Sequence, residues 1–174
     1  PESARGAAAL LVRMVLEDGA YTNIALNQYL RGSRLSDLDR RLATELVYGT
    51  VKASGTLDWY LAQCVSRPLD KVAGDILAIL RISTYQLLYM TRIPASAAVN
   101  EAVKLARSVS HEGSAKFVNG VLRGLLRKQE AGAFVLPDTE KQDADYLSLQ
   151  YYHPRWLVKR WLGPWGRGGT ERLL

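Results

Sequence analysis

Lys116, Arg123 and Arg127 are the residues whose type and spacing most clearly suggest chemistry. At about 100° per residue they fall within about 40° of one another on one side of a helix. Phe117, Val118, Val121, Leu122, Leu125 and Leu126 cover the other side. A row of guanidinium and ammonium groups can neutralise phosphates. Asn119 and Gly120 flank the row, offering an amide side chain and a place where a phosphate or base can approach the backbone. The plainer alternative is a solvated polar face. A weaker version recurs at 95–110, where Asn100, Lys104 and Arg107 oppose Ala102, Val103, Ala106 and Val109. There Glu101, three residues from Lys104, is placed to pair with it and reduce its attraction for phosphate. Near the start of the chain, Arg5 borders an apolar helix face and could work beside a neighbouring helix, while Arg13 lies nearly opposite.

Enzymatic readings fail on inventory. Cys64 has no histidine near it, and its spacing to Leu57, Tyr60 and Leu61 makes it a small core residue. His111, beside Glu112 and Gly113, reads as part of a helix terminus; His153, before Pro154, reads as part of a turn. Gly163 to Thr170, GPWGRGGT, imitates a phosphate loop but carries Gly169 where the lysine must stand, and no strand precedes it. No catalytic, cofactor-binding or metal-binding residue is therefore expected.

The elements that must position these groups are helices. Ala7, Leu11, Met14 and Val15 line one face of a first helix that stops at Gly19; Asn23 is placed to cap a second, through Ile24, Leu26 and Leu30, closed by Gly32. Ser36 should cap a third, carrying Leu38, Leu42, Leu46 and Val47 and ending at Gly55, with Thr56 capping a short fourth that Pro68 stops. From Asp70 to Met90 apolar residues point all round the axis, which predicts a central buried helix. A sixth spans about Ala95 to Ser110 and a seventh about Ala115 to Lys128. Strand signals are nearly absent, so the first 128 residues predict an all-α bundle of about seven helices. Residues 129–145 form a polar linker with an apolar patch from Phe134 to Leu136. Residues 146–174, with Trp156, Leu157 and Trp161 on a short amphipathic helix, look like the incomplete start of another domain.

Whole-chain properties agree with this picture. The 174 residues carry a formal charge of +6. Residues 1–128 hold 17 Lys and Arg against 11 Asp and Glu, whereas 129–174 hold 6 of each, so the excess belongs to the bundle. The excess suggests an anionic partner, with nucleic acid favoured over a membrane surface; an ordinary solvated basic surface is the alternative. One cysteine excludes an internal disulfide and suits a reducing, cytoplasmic compartment. The longest apolar stretch, Ile76 to Met90, contains Arg81 and Gln86 and is too short to span a bilayer. Pro1 stands where an initiator Met is expected, so the sequence reads as a piece of a longer protein.

RRLATELVYGTV (Arg40 to Val51), ILRISTYQLLYMTRIPASAAVNEAVKLAR (Ile79 to Arg107) and KFVNGVLRGLLR (Lys116 to Arg127) closely resemble the NusB-like domain, in that family's order and across residues 4–128. Such domains occur alone, as transcription antitermination factors, and at the N-terminus of the RsmB (Fmu/Sun) ribosomal RNA cytosine-C5 methyltransferases. YLSLQYYHPRWLVKRWLG, Tyr146 to Gly163, is similar to the segment that follows the domain in the methyltransferases. The resemblance implies a helical bundle that binds ribosomal RNA, joined to a catalytic domain that uses S-adenosylmethionine and two cysteines. Neither that cofactor's site nor those cysteines are expected in this chain, which is therefore expected to be catalytically silent. For RNA contact it implies Arg5 and the helix around Phe117 to Gly120. Antiterminators usually begin with several arginines where this chain has one, and some carry an acidic residue where it has Arg123. Two other readings stay open: a free-standing antiterminator, and a module that docks the catalytic domain or a ribosomal protein.

Overall fold

The computed structural model describes residues 2–134. In chain order the helices are α1 (Ala4–Asp18), α2 (Thr22–Arg31), α3 (Asp37–Ala62), α4 (Gly74–Tyr89), α5 (Ala95–Val109) and α6 (Glu112–Ala131), with one 3-10 turn at Leu69–Lys71 between α3 and α4. No strand occurs among the described residues. The all-α expectation holds, and the expected features of 146–174, His153 and the Gly163 to Thr170 turn lie outside the described residues.

Local chemistry sets most boundaries. Ser3 caps α1 by accepting from the Gly6 N–H, and Gly19 ends it in the left-handed conformation at φ 75°. Ser36 caps α3 through the Asp39 N–H, with Asp37 and Asp39 in the first turn, where the helix dipole favours negative charge. Asn23 does not cap α2. The chain enters that helix at Thr22, closing its first turn from the Ala25 N–H to the Tyr21 carbonyl at 2.9 Å, so Asn23 already lies inside. The α1 start is tied down from outside the helix: the Glu2 carboxylate accepts from the Tyr29 hydroxyl at 2.8 Å and the Arg34 N–H at 2.9 Å. Burial and that carboxylate push the Tyr29 phenol up to about 12.

The expected third and fourth helices are one. α3 runs unbroken through Gly55 and Thr56 because Ala53, Thr56, Leu57, Tyr60 and Leu61 are all buried on its inner side. That packing outweighs the roughly 1 kcal/mol an interior glycine costs. Two residues expected to face inward do not: Leu38 is 71% exposed and Ile24 52% exposed. Both sit in the first turn of their helices.

α4 is the central helix. Ile76 through Gln86 are buried with the single exception of Arg81, as are Leu88 and Tyr89. The Arg81 guanidinium makes two 2.8 Å hydrogen bonds to the Asp58 carboxylate on α3, which compensates its partial burial. α4 packs against α1, α3, α5 and α6. Against α3 the fit depends on Gly49: the Tyr85 ring lies where a Cβ would stand. α5 and α6 form an antiparallel hairpin, and α6 begins three residues before the expected Ala115. His111 makes that possible, its Nδ1 accepting from the N–H groups of Gly113 (3.1 Å) and Ser114 (3.4 Å). This fulfils the expectation that His111 belongs to a helix terminus. Cys64 is half-buried against the core, and burial raises its thiol pKa.

α6 continues to Ala131, where Gly132 (φ 65°) reverses the chain and the Ala133 N–H reaches the Lys128 carbonyl at 2.8 Å. Phe134, from the apolar patch of the expected linker, is thereby set edge-on against Tyr60 with ring centroids 4.7 Å apart.

Candidate nucleic-acid interface

Helix α6 divides cleanly. Ala115, Val118, Val121, Leu122 and Leu125 are buried against the bundle. Lys116, Gly120, Arg123 and Arg127 are exposed along the outer side, so the three cations do form one surface row. Arg123 donates from Nε to the Asn119 Oδ1 at 3.1 Å, one turn back, which orients the guanidinium without neutralising it. Among the described residues none of the three has a carboxylate within ion-pair distance. Among the described residues nothing fills the space where a side chain at Gly120 would be.

The secondary candidates are compensated. The Arg13 Nε lies 3.4 Å from Glu17, beside a mostly apolar hollow of about 140 Å³ between α1, α4 and α5. Lys104 reaches Glu101 at 3.4 Å, as their spacing suggests. Arg107 forms a two-pronged bond to Glu112, at 2.7 and 3.2 Å, across the turn into α6. That bond is the main cause holding the Glu112 carboxyl below the usual carboxylate range; Lys116 adds to it through space. Asn100 is exposed on the same helix as Lys104.

Arg5 stands apart from the row. Its Nε donates to the Gln86 Oε1 on α4 at 2.9 Å, while the Gln86 amide nitrogen bonds the Ile82 carbonyl at 3.0 Å. Gln86 is 1% exposed, so Arg5 is fixed to the core at the α1 and α4 junction, as its position beside the apolar face suggests. Its partner lies on α4 and not on α6. Arg67 escaped the sequence analysis. Arg67, in the α3 to α4 connection, places its guanidinium carbon 4.6 Å from the centre of the Phe117 ring. Helical periodicity gives no bearing on a loop residue next to Pro68.

Among the described residues, the fold and this face define an all-helical bundle with a row of cations on α6 that makes no ion pair. The chain belongs to the NusB family, whose model matches residues 2–127. It is 41% identical over 171 residues to the probable ribosomal RNA small subunit methyltransferase B of Synechocystis sp., an alignment covering 98% of this chain and 37% of that protein. The counterpart from Bacillus subtilis is 37% identical over 157 residues, covering 90% of this chain and 34% of its own length. The chain thus spans about a third of the curated relatives it matches. Among solved structures, a chain from the crystal structure of antitermination factors NusB and NusE in complex with dsRNA superposes with a TM-score of 0.65 at 21% identity, covering 71% of this chain and 93% of that one. That likeness concerns the fold. Among the described residues no helix is long and apolar enough to cross a membrane.

Proposed function

We propose that this chain is the RNA-binding N-terminal part of an S-adenosylmethionine-dependent methyltransferase that modifies a cytosine C5 of 16S ribosomal RNA, and that it helps seat the RNA for methylation. The observation that carries this reading is the α6 row: Lys116, Arg123 and Arg127 exposed together, with no ion-paired carboxylate among the described residues. Asn119 and Gly120 belong to the same contact surface; Arg5 contributes from the α1 and α4 junction. Arg13, Asn100, Lys104 and Arg107 are secondary, since three of the four share their charge or donors with a neighbouring acid.

In this reading residues 4–128 are the RNA-binding domain, 129–145 the linker and 146–174 the start of the methyltransferase-linked domain. Methyl transfer and the S-adenosylmethionine site belong to the remainder of the parent protein, in the cytoplasm. The partners are ribosomal RNA, the catalytic domain of the parent chain and a ribosomal protein. The alignment to the Synechocystis methyltransferase over 98% of the chain favours this assignment over a free-standing antiterminator.

Replacing both Arg123 and Arg127 by Glu tests the reading. Binding of ribosomal RNA fragments should weaken by about tenfold or more, and the slope of log affinity against log salt should fall by roughly 0.7 for each single-strand phosphate no longer neutralised. Unchanged affinity and slope would remove α6 from the interface.

A further inference from the structure

Helix α6 carries two glycines that its own packing does not require. An interior glycine costs a helix up to ~1 kcal/mol relative to alanine, and on an exposed face it leaves room for another group to approach the backbone closely. At Gly49 the group that approaches is Tyr85 of the same chain. Among the described residues nothing lies within 4 Å of the missing Cβ at Gly120, and at Gly124 the nearest atom is the Arg127 Nη2 at 3.7 Å, an ordinary contact with the end of a long side chain.

Both glycines lie between two rows of side chains. On one side stand Lys116, Arg123 and Arg127; at about 100° per residue, Phe117 and Lys128 fall on the other. The Arg67 guanidinium rests over the Phe117 ring, which places the α3 to α4 connection along this second side. The Lys128 charge, which opposes the effect of burial on the Cys64 thiol, agrees with that placement. Stacking on an aromatic ring uses the face of a guanidinium and leaves its edge N–H groups available to an anion. Arg67 is exposed and has no ion-paired carboxylate among the described residues.

We propose that Arg67 is an RNA-contacting residue outside α6. With Phe117 and Lys128 it forms the second wall of a trough floored by Gly120 and Gly124, which takes the sugar-phosphate backbone of an RNA strand. The inference rests on the RNA-binding reading of α6 and adds to it a contact from a separate element. Cations on both walls favour a polyanion over an acidic protein segment, which would need its carboxylates placed to match.

The test uses the 174-residue chain, a labelled single-stranded ribosomal RNA fragment, a salt series and three variants. Arg67→Gln keeps a planar group on Phe117 and removes the charge; it should weaken binding about threefold to tenfold and lower the salt slope by roughly 0.7. Gly120→Leu, at an open helical position, should weaken binding with no loss of thermal stability. Arg123→Gln serves as the control on the α6 row. If Arg123→Gln lowers the slope and Arg67→Gln does not, the second wall is wrong while the α6 reading stands. If neither variant changes RNA binding, both fail. If Arg67→Gln and Gly120→Leu spare RNA binding and instead weaken a salt-sensitive complex with the parent's catalytic domain, the trough belongs to a protein partner and the proposal is overturned.

Discussion

Whether a surface cation is available to a ligand depends on its nearest acid, and here adjacent helices differ in that respect. On α5, Lys104 and Arg107 are paired with Glu101 and Glu112, while the α6 row makes no such pair among the described residues. Glu112 therefore has two effects: it occupies Arg107, and it sits one turn before Lys116 at the end of the row. Glu112→Gln should release Arg107 and raise RNA affinity at neutral pH by roughly threefold, with a steeper salt dependence. Acid should act in the same direction. The Glu112 carboxyl is depressed below its ordinary value of 4.5, so the pair is complete above that value and is lost as pH falls through the depressed one. A filter-binding series on the wild type and Glu112→Gln checks both statements; equal affinities at pH 7 would show that Arg107 is not held in reserve. Sequence spacing revealed the Glu101 and Lys104 pair because both lie on one helix. It could not reveal Arg107 with Glu112, which meet only once the turn at Ser110 and His111 is formed, nor Arg67 on Phe117.

Glycines on one helix show how far an element's sequence can be read without its neighbours. In α3, Gly49 and Gly55 are indistinguishable by propensity, and both invite a break. The structure gives them opposite meanings. A methyl at Gly49 collides with the Tyr85 ring, which α4 holds in a packed core, whereas among the described residues nothing lies within 4 Å of a methyl at Gly55. Gly49→Ala should therefore destabilise the fold by about 1–3 kcal/mol through overpacking. Gly55→Ala should stabilise it by up to about 1 kcal/mol through helix propensity alone. Urea midpoints at constant m-value measure both; a stabilised Gly49→Ala would mean that Tyr85 moves freely. The same contrast explains what was legible. The Ser36 cap, the stop at Gly19 and the all-round hydrophobicity of α4 are local signals and predicted their elements. The continuity of α3 depends on the burial of Thr56 and Leu57 against other helices, so its apparent break at Gly55 was a local signal overridden by packing.

At the scale of the molecule, the bundle has a centre and a fastening at its exit. α4 contacts four of the other helices, so truncating a fully buried residue there, as in Leu80→Ala, should cost about 2–5 kcal/mol and lower the single unfolding transition. The exit is built differently. Gly132 turns the chain back, and Phe134 rests edge-on against Tyr60 and at 6.2 Å from Trp59, joining the end of α6 to the end of α3. An aromatic pair of this kind contributes only about 0.5–1.5 kcal/mol beyond its buried area, and Phe134 is itself only half-buried. Phe134→Ala should thus leave the global transition within a few degrees of wild type while amide exchange at 130–133 accelerates, because the reversal at Gly132 is then no longer fastened to Tyr60. In the parent methyltransferase proposed above, this fastening would set the direction in which the chain leaves the RNA-binding face, so Phe134→Ala should also slow methylation of ribosomal RNA without changing the affinity of the isolated 174-residue chain for it. Exchange at 130–133 that is unaltered in Phe134→Ala would show that Gly132 and the Ala133 to Lys128 hydrogen bond hold the exit by themselves, and the expected effect on methylation would go with it.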